Sequence, residues 1–373
     1  MGYLVTHSAV RLYPSGTSAD RWRVANLETC VEYRCGRLAT MLLVAFADGD
    51  TNSAVSREFA DRYNFELQSI ETAIDCLEEL GLLVEPDNAT HRRAQVLLSA
   101  WSAWGWVDAA DYHLATLNYP FVDYSRDGRD IDFKRMVSYV RDAPDMERTK
   151  SYSSVVSKWQ VPPTPKALST LNELFAHLWV NEYDLTVCDR SKMGILMSSV
   201  FGKLRERRLA DDRSLMADAI GKTSPSGGSR HPTEAYLFAW NVRDLPKGIY
   251  HFNVTDSSLD QIAKFDVTES QRHLLFSGPL RASFAVDAVI VMTSKFDRSM
   301  YRYREPRSFR AIYMDVGHLC GTLDIVAKSL QLNCLVQHGL DDEAVGAALG
   351  LDPLVEGVIY GAAVGGQQGH RND

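Results

Sequence analysis

The sequence predicts an α+β protein: a small helical N-terminal domain closed by a short strand, then a larger layered domain of mixed strands with surrounding helices. Three observations carry this. Apolar residues recur at helical spacing between residues 40 and 80. Strand-like apolar runs alternate with helical stretches through the second half. The chain has 373 residues, too many for one ordinary domain, and its 45% hydrophobic and 24% charged content is that of a globular protein.

In the N-terminal part, Met41, Leu42, Leu43 and Ala45 start a helix that ends at Asp48-Gly49-Asp50. Val55, Phe59 and Ala60 place a second helix over residues 53–63. Ile70, Ile74, Leu77 and Leu80 form the stripe of a third, over residues 67–80. Gly81 stops it, and residues 82–84 read as a strand. Three helices and a strand make a winged-helix-like pattern, which raises DNA binding. The charges oppose that. The third helix region carries Glu66, Glu71, Asp75, Glu78 and Glu79, with no Lys or Arg between Asn64 and Asn88. An acidic helix is repelled by phosphates, and the net charge of -8 adds to the argument. Residues 1–92 are therefore expected to dock a peptide or a partner.

Residues 93–165 read as a linker and interface segment. Trp101, Trp104 and Trp106 cluster there, a pattern expected for core or domain-interface packing. The stretch 122–153 is charge-rich and reads as a surface-crossing linker. Pro162, Pro163 and Pro165 suggest an extended lead-in to a helix over residues 171–179. The larger domain spans residues 166–373. Its strands are expected at residues 235–242, 248–254 with a hairpin partner near 259–265, 287–294, 333–337 and 357–366. Further helices are expected over residues 191–204, 311–330 and 341–349.

The six cysteines are scattered, with no C-x-x-C pair and no His at ligand spacing, so neither a metal site nor a disulfide framework is expected. No signal-peptide core and no apolar run near the roughly 20 residues of a bilayer span is present. A cytoplasmic protein is the expectation, with no membrane or nucleic-acid partner.

One stretch carries chemistry: KTSPSGGSRHPTEAYLFAWNV, residues 222–242. Gly227 and Gly228 lack a Cβ and let backbone approach a ligand closely. Ser224 and Ser226 add hydroxyls, and successive N–H groups there suit the polar edge of a cofactor. A plain flexible loop has the same composition, and His231 equally suits a structural histidine bonded to backbone.

SPSGGSRHPTEAY, then LPKGIYHFNV, then a buried strand, then FDRSMYRYREPRSFRAIYMDVGHLCGTLDIVAKSLQL together resemble the SagB-type dehydrogenases of the nitroreductase superfamily. The match covers roughly residues 180–366. The resemblance implies a nitroreductase-like fold that binds FMN, usually as a dimer with the flavin at the subunit interface. It also implies action on a ribosomally made peptide, such as azoline oxidation, with a leader peptide or partner protein at the winged-helix module. Ser224, Pro225, Ser226, Gly227, Gly228 and His231 would line the flavin. Gln337 and His338 would approach its reactive edge. Tyr313, Asp315, Gly317 and His318 match the helix motif and read as structural, the Gly-His pair as buried packing.

Two departures stand out. The arginine motif that helps to bind the flavin phosphate is absent from the aligned HLWVNEYDLTV, residues 177–187. Lys203, Arg205, Arg207, Arg208 and Arg371 are candidate substitutes, although a solvated helix face and a loose tail account for them better. Azoline oxidases carry a Lys-Tyr pair where this chain has Arg302-Tyr303. Arginine keeps its proton, so Tyr303 would handle the proton and Arg302 would stabilise an anion. The alternative is a flavin-poor subunit that keeps the fold and serves as a peptide-binding or scaffold partner of an active enzyme.

Overall fold

A computed structural model describes residues 2–14, 21–143, 146–161, 187–206 and 220–366. It divides into two compact units, Met1–Asp123 and Tyr124–Asp373. The division falls inside the segment 93–165.

The first unit contains β1 (Tyr3–Thr6), β2 (Val10–Pro14), β3 (Arg21–Asn26), β4 (Val31–Gly36), α1 (Arg37–Ala45), β5 (Asp50–Thr51), α2 (Asn52–Tyr63), α3 (Leu67–Glu79), β6 (Leu83–Val84), α4 (Ala89–Ser102) and α5 (Val107–Leu117). The three helices expected from periodicity are α1 to α3. Thr51 caps α2 by accepting from the Ala54 N–H, and Asn64 ends it in the left-handed region. Ile70, Ile74 and Leu77 of α3 are buried against Leu4, Leu42, Leu43, Phe46, Val55 and Phe59, while its acidic residues face solvent. Strands β5, β1 and β6 form one short sheet, and β2, β3 and β4 form a second, antiparallel one that the sequence reading had not assigned. Of the three tryptophans, Trp101 is half-buried and stacks on His113, while Trp104 and Trp106 are 84% and 61% exposed. They follow α4, where Gly105 turns the chain at positive φ and leaves them outside the packed face.

The second unit contains α6 (Gly128–Asp142), β7 (Ser157–Gln160), α7 (Arg190–Phe201), β8 (Arg205–Glu206), β9 (Ile220–Gly221), β10 (Thr233–Ala239), β11 (Gly248–Asn253), β12 (Ser258–Ala263), α8 (Glu269–Leu275), β13 (Ala288–Lys295), α9 (Phe296–Arg302), α10 (Phe309–Ser329), β14 (Asn333–Gln337), α11 (Asp342–Leu349) and β15 (Glu356–Gly365). A seven-stranded sheet runs β14-β15-β13-β10-β11-β12-β7, and each of its pairings is antiparallel. The α+β layering, the hairpin at β11–β12 and the later helices match the sequence reading. Side chains alternate across the sheet. Ala235, Leu237, Ile290 and Met292 pack with Met193, Leu196 and Val200 of α7 and with Val316, Leu319 and Leu323 of α10. Tyr236, Phe238, Val289 and Val291 pack on the other face with Phe265 and Phe276. The stretch 122–153 is not a plain linker, since α6 runs through it. That helix is hard to see in sequence because only Gly128 and Met136 are buried. The helix expected at 171–179 lies outside the described residues. Among the described residues no helix is long and apolar enough to cross a membrane.

Candidate active site

The glycine loop leads into β10, in the centre of the sheet, and lies against α10. Gly227–Ser229 form a single 3₁₀ turn, with Gly228 at φ +57°. Asp315 of α10 fixes this turn. Its carboxylate accepts from the Ser226 hydroxyl at 2.5 Å and from the Gly227 N–H at 3.1 Å. The Ser226 Oγ in turn accepts from the His231 N–H at 2.9 Å. The Ser224 hydroxyl meets the Thr322 hydroxyl at 2.6 Å and the His318 carbonyl at 3.3 Å. Both serine hydroxyls are thus engaged with α10, a correction to their expected role as outward donors. Pro225 between them is exposed. The His231 ring donates from Nε2 to the Ile220 carbonyl at 2.9 Å, and its backbone sits at φ 46°. These bonds give His231 the structural role open to it from sequence. Gly317 and His318 are exposed rather than buried; α10 turns that side away from the sheet and offers the loop the His318 carbonyl instead.

Tyr303 caps α9 and lies over the glycines. A Cβ at Gly228 would come within 2.7 Å of the Tyr303 hydroxyl and 3.5 Å of the Arg302 Cγ. A Cβ at Gly227 would stand 3.6 Å from Ala311 and 3.7 Å from the Tyr303 ring, ordinary contacts. Burial pushes the Tyr303 phenol above its ordinary pKa. The Arg302 charge opposes this, while Asp132, Glu305 and Asp315 reinforce it.

Arg302 is not available to an anion. Its Nη1 and Nη2 donate to the two oxygens of Asp132 on α6 at 3.0 and 2.5 Å. Burial raises the Asp132 pKa, but the hydrogen bonds and charge of Arg302 outweigh it, and the carboxyl stands below the ordinary aspartate range. Tyr124 is hydrogen-bonded to the same carboxylate. Tyr303 also lines a cavity of about 670 Å³, together with Phe296, Met300, Phe309, Ile312 and Leu354 among others.

Gln337 and His338 do not join this group. Gln337 ends β14 and His338 follows it, and β15 and β13 stand between that strand and β10. At the usual inter-strand spacing that is about 14 Å. His338 is exposed and stacks on Tyr360. Sequence reasoning missed a buried ionic cluster at the other side of the loop. Glu234 of β10 accepts from Arg298 at 2.5 Å and pairs with His251 at 2.7 Å, all three buried. The alternation along TEAYLFA places Glu234 on the Tyr236 face, but nothing local announces its partners.

The residues that meet here do not make a flavin site as they stand. The loop hydroxyls and the Gly227 N–H are bonded to α10. The Gly228 face is covered by Tyr303, and the adjacent guanidinium is neutralised by Asp132. Arg207, Arg208, Arg371 and residues 177–186 lie outside the described residues. Among the described residues no cluster of three His, Cys, Asp or Glu side chains is placed to hold a metal.

Residues 210–366 match the family model described as the nitroreductase family, so this part of the chain is a nitroreductase-family domain, as its motifs implied. The chain is 25% identical over 331 residues to the trifolitoxin-processing protein TfxB of Rhizobium leguminosarum bv. trifolii, covering 83% of each protein. A solved structure from Anabaena variabilis assigned to the nitroreductases is 23% identical, with a TM-score of 0.48, over 65% of this chain and 47% of that one. A chain of the Escherichia coli microcin synthetase McbBCD complex is 18% identical, with a TM-score of 0.39, over 66% of this chain and 94% of that one.

Proposed function

We propose that the protein serves the maturation of a ribosomally made peptide as a nitroreductase-fold binding subunit whose glycine loop is closed by its own Tyr303. The observation that carries this is the 2.7 Å between the Tyr303 hydroxyl and a Cβ position on Gly228. The peptide class rests on the SagB-type motifs and on the likeness to a trifolitoxin-processing protein across most of both chains. In this reading the N-terminal unit docks a leader peptide or partner at the β6 edge, by strand addition. The protein works in a cytoplasmic complex, as a homodimer or with other maturation proteins.

A second reading, an FMN-dependent oxidoreductase on the same peptide, is favoured by one observation: the loop motif and Tyr303 are both retained and face each other. It requires Tyr303 to leave Gly228. A visible spectrum of the purified protein separates the two. The binding subunit is expected to be colourless and to gain no thermal stability from added FMN. Stoichiometric FMN released on denaturation would establish the second reading instead.

A further inference from the structure

We propose that Asp132 is a positioning residue that keeps the loop closed: by holding Arg302 in a two-point pair, it fixes Tyr303 over Gly227 and Gly228. This rests on the closed-loop reading above. Asp132 lies outside the span of the family match.

Both Arg302–Asp132 bonds run between matching forks, a geometry that sets orientation as well as distance. The pair is largely out of water, with Arg302 15% and Asp132 21% exposed. Tyr124 bonds the same carboxylate and restricts it further. Arg302 and Tyr303 are consecutive at the end of α9, where the Tyr303 N–H bonds the Ser299 carbonyl at 2.9 Å. The guanidinium carbon stands 5.0 Å from the Tyr303 ring centroid, and the Arg302 stem and the Tyr303 hydroxyl both approach Gly228. The two side chains therefore act as one cover, with its charged end tied to α6. Untied, Arg302 has five N–H donors without an acceptor and a flexible stem beside the glycines. Tyr303 then loses the neighbour that packs along its ring. The bland alternative is an ion pair that merely joins α6 to α9. That alternative gives no reason for Tyr303 to move when the pair is cut in a folded protein.

The test uses the full chain carrying 3-fluorotyrosine, with the Tyr303 resonance assigned by its loss in Tyr303→Phe. Asp132→Asn is expected to shift that fluorine resonance, and Asp132→Glu to leave it at the wild-type position. A folded Asp132→Asn protein with an unmoved Tyr303 resonance overturns the proposal. If Asp132→Asn does not fold, Asp132→Ser, which keeps Arg302 in place, decides: a shifted Tyr303 resonance there supports positioning, and an unmoved one overturns it. Wild-type protein that binds FMN stoichiometrically sinks the closed-subunit reading, while the fluorine shift still decides the role of Asp132.

Discussion

Gly227 and Gly228 look alike in sequence, yet they do different work. Gly228 sits at φ +57° with Tyr303 pressed against it, whereas Gly227 has ordinary room. Gly228→Ala must bear the left-handed penalty of about 1–2 kcal/mol and also displace the Tyr303 phenol. Gly227→Ala is expected to stay within about 0.5 kcal/mol of wild type. Urea unfolding of the two variants checks this, and equal losses would show that Tyr303 does not press on Gly228. The buried carboxylate behind the loop makes a sharper demand. Burial alone would raise the Glu234 pKa, but its bond to His251 and the charge of Arg298 hold it down to about 2. A depressed carboxyl contributes stability that is full above its unfolded value near 4.5 and is lost as pH falls towards 2. Glu234→Gln leaves the buried Arg298 without its counter-charge, which costs about 3–5 kcal/mol at neutral pH. It also flattens the stability profile between pH 4.5 and 2. Unchanged unfolding midpoints at pH 7 would contradict this account.

Among the elements, the turn after β1 is held to α4 by histidine. His7 Nδ1 accepts from the Ala9 N–H at 3.1 Å, which leaves the proton on Nε2, facing the Thr90 hydroxyl at 3.0 Å. His91 Nδ1 accepts from the Ser8 N–H. Burial, then the neighbouring His91, lowers the His7 pKa to about 4. The folded ring stays neutral while the unfolded one takes a proton below its ordinary 6.5, so stability falls as pH drops from 6.5 to 4. Over that window one such histidine accounts for about 3 kcal/mol. His7→Gln should reduce the slope of stability against pH there, and an unaltered slope would remove His7 from the explanation. Legibility in the sequence followed the same local logic. The α3 stripe and the strands from β10 to β15 were readable because their apolar periodicity is strong and their neighbours end in Gly, Asn or Asp. The β2–β4 sheet was passed over although Val31, Tyr33 and Cys35 alternate with Glu32 and Arg34, because its strands are short and lie outside the helical stripes that drew the reading. The glycine loop was visible through its composition. Its cover was not, since Asp132 and Arg302 are joined across 170 positions by no local pattern. Gln337 and His338, placed at the site by resemblance alone, are held apart from it by two strands.

At the scale of the whole molecule, charge bears most directly on what the protein meets. The chain carries a net -8, and α3, the helix a winged-helix reader would insert, presents Glu71, Asp75, Glu78 and Glu79 to solvent. Duplex DNA gains affinity by exchanging condensed counterions for Lys and Arg, and this surface offers none of that exchange. The apolar side of α3 is largely taken up by Ile70, Ile74 and Leu77 in the core, and the charge that the helix exposes is all acidic. The β6 edge differs: its Leu83 and Val84 are buried, and it borders the β5-β1-β6 sheet. A partner strand there adds main-chain hydrogen bonds, which salt screens far less than surface charge. Full-length protein is therefore expected to leave the anisotropy of a labelled duplex unchanged at about 0.15 M salt. Its binding of a precursor peptide should persist as salt is raised and weaken when Leu83 is replaced by Pro, which removes an N–H from the edge. Salt-sensitive duplex binding, or peptide affinity that collapses with modest salt, would assign this unit to a charged ligand instead.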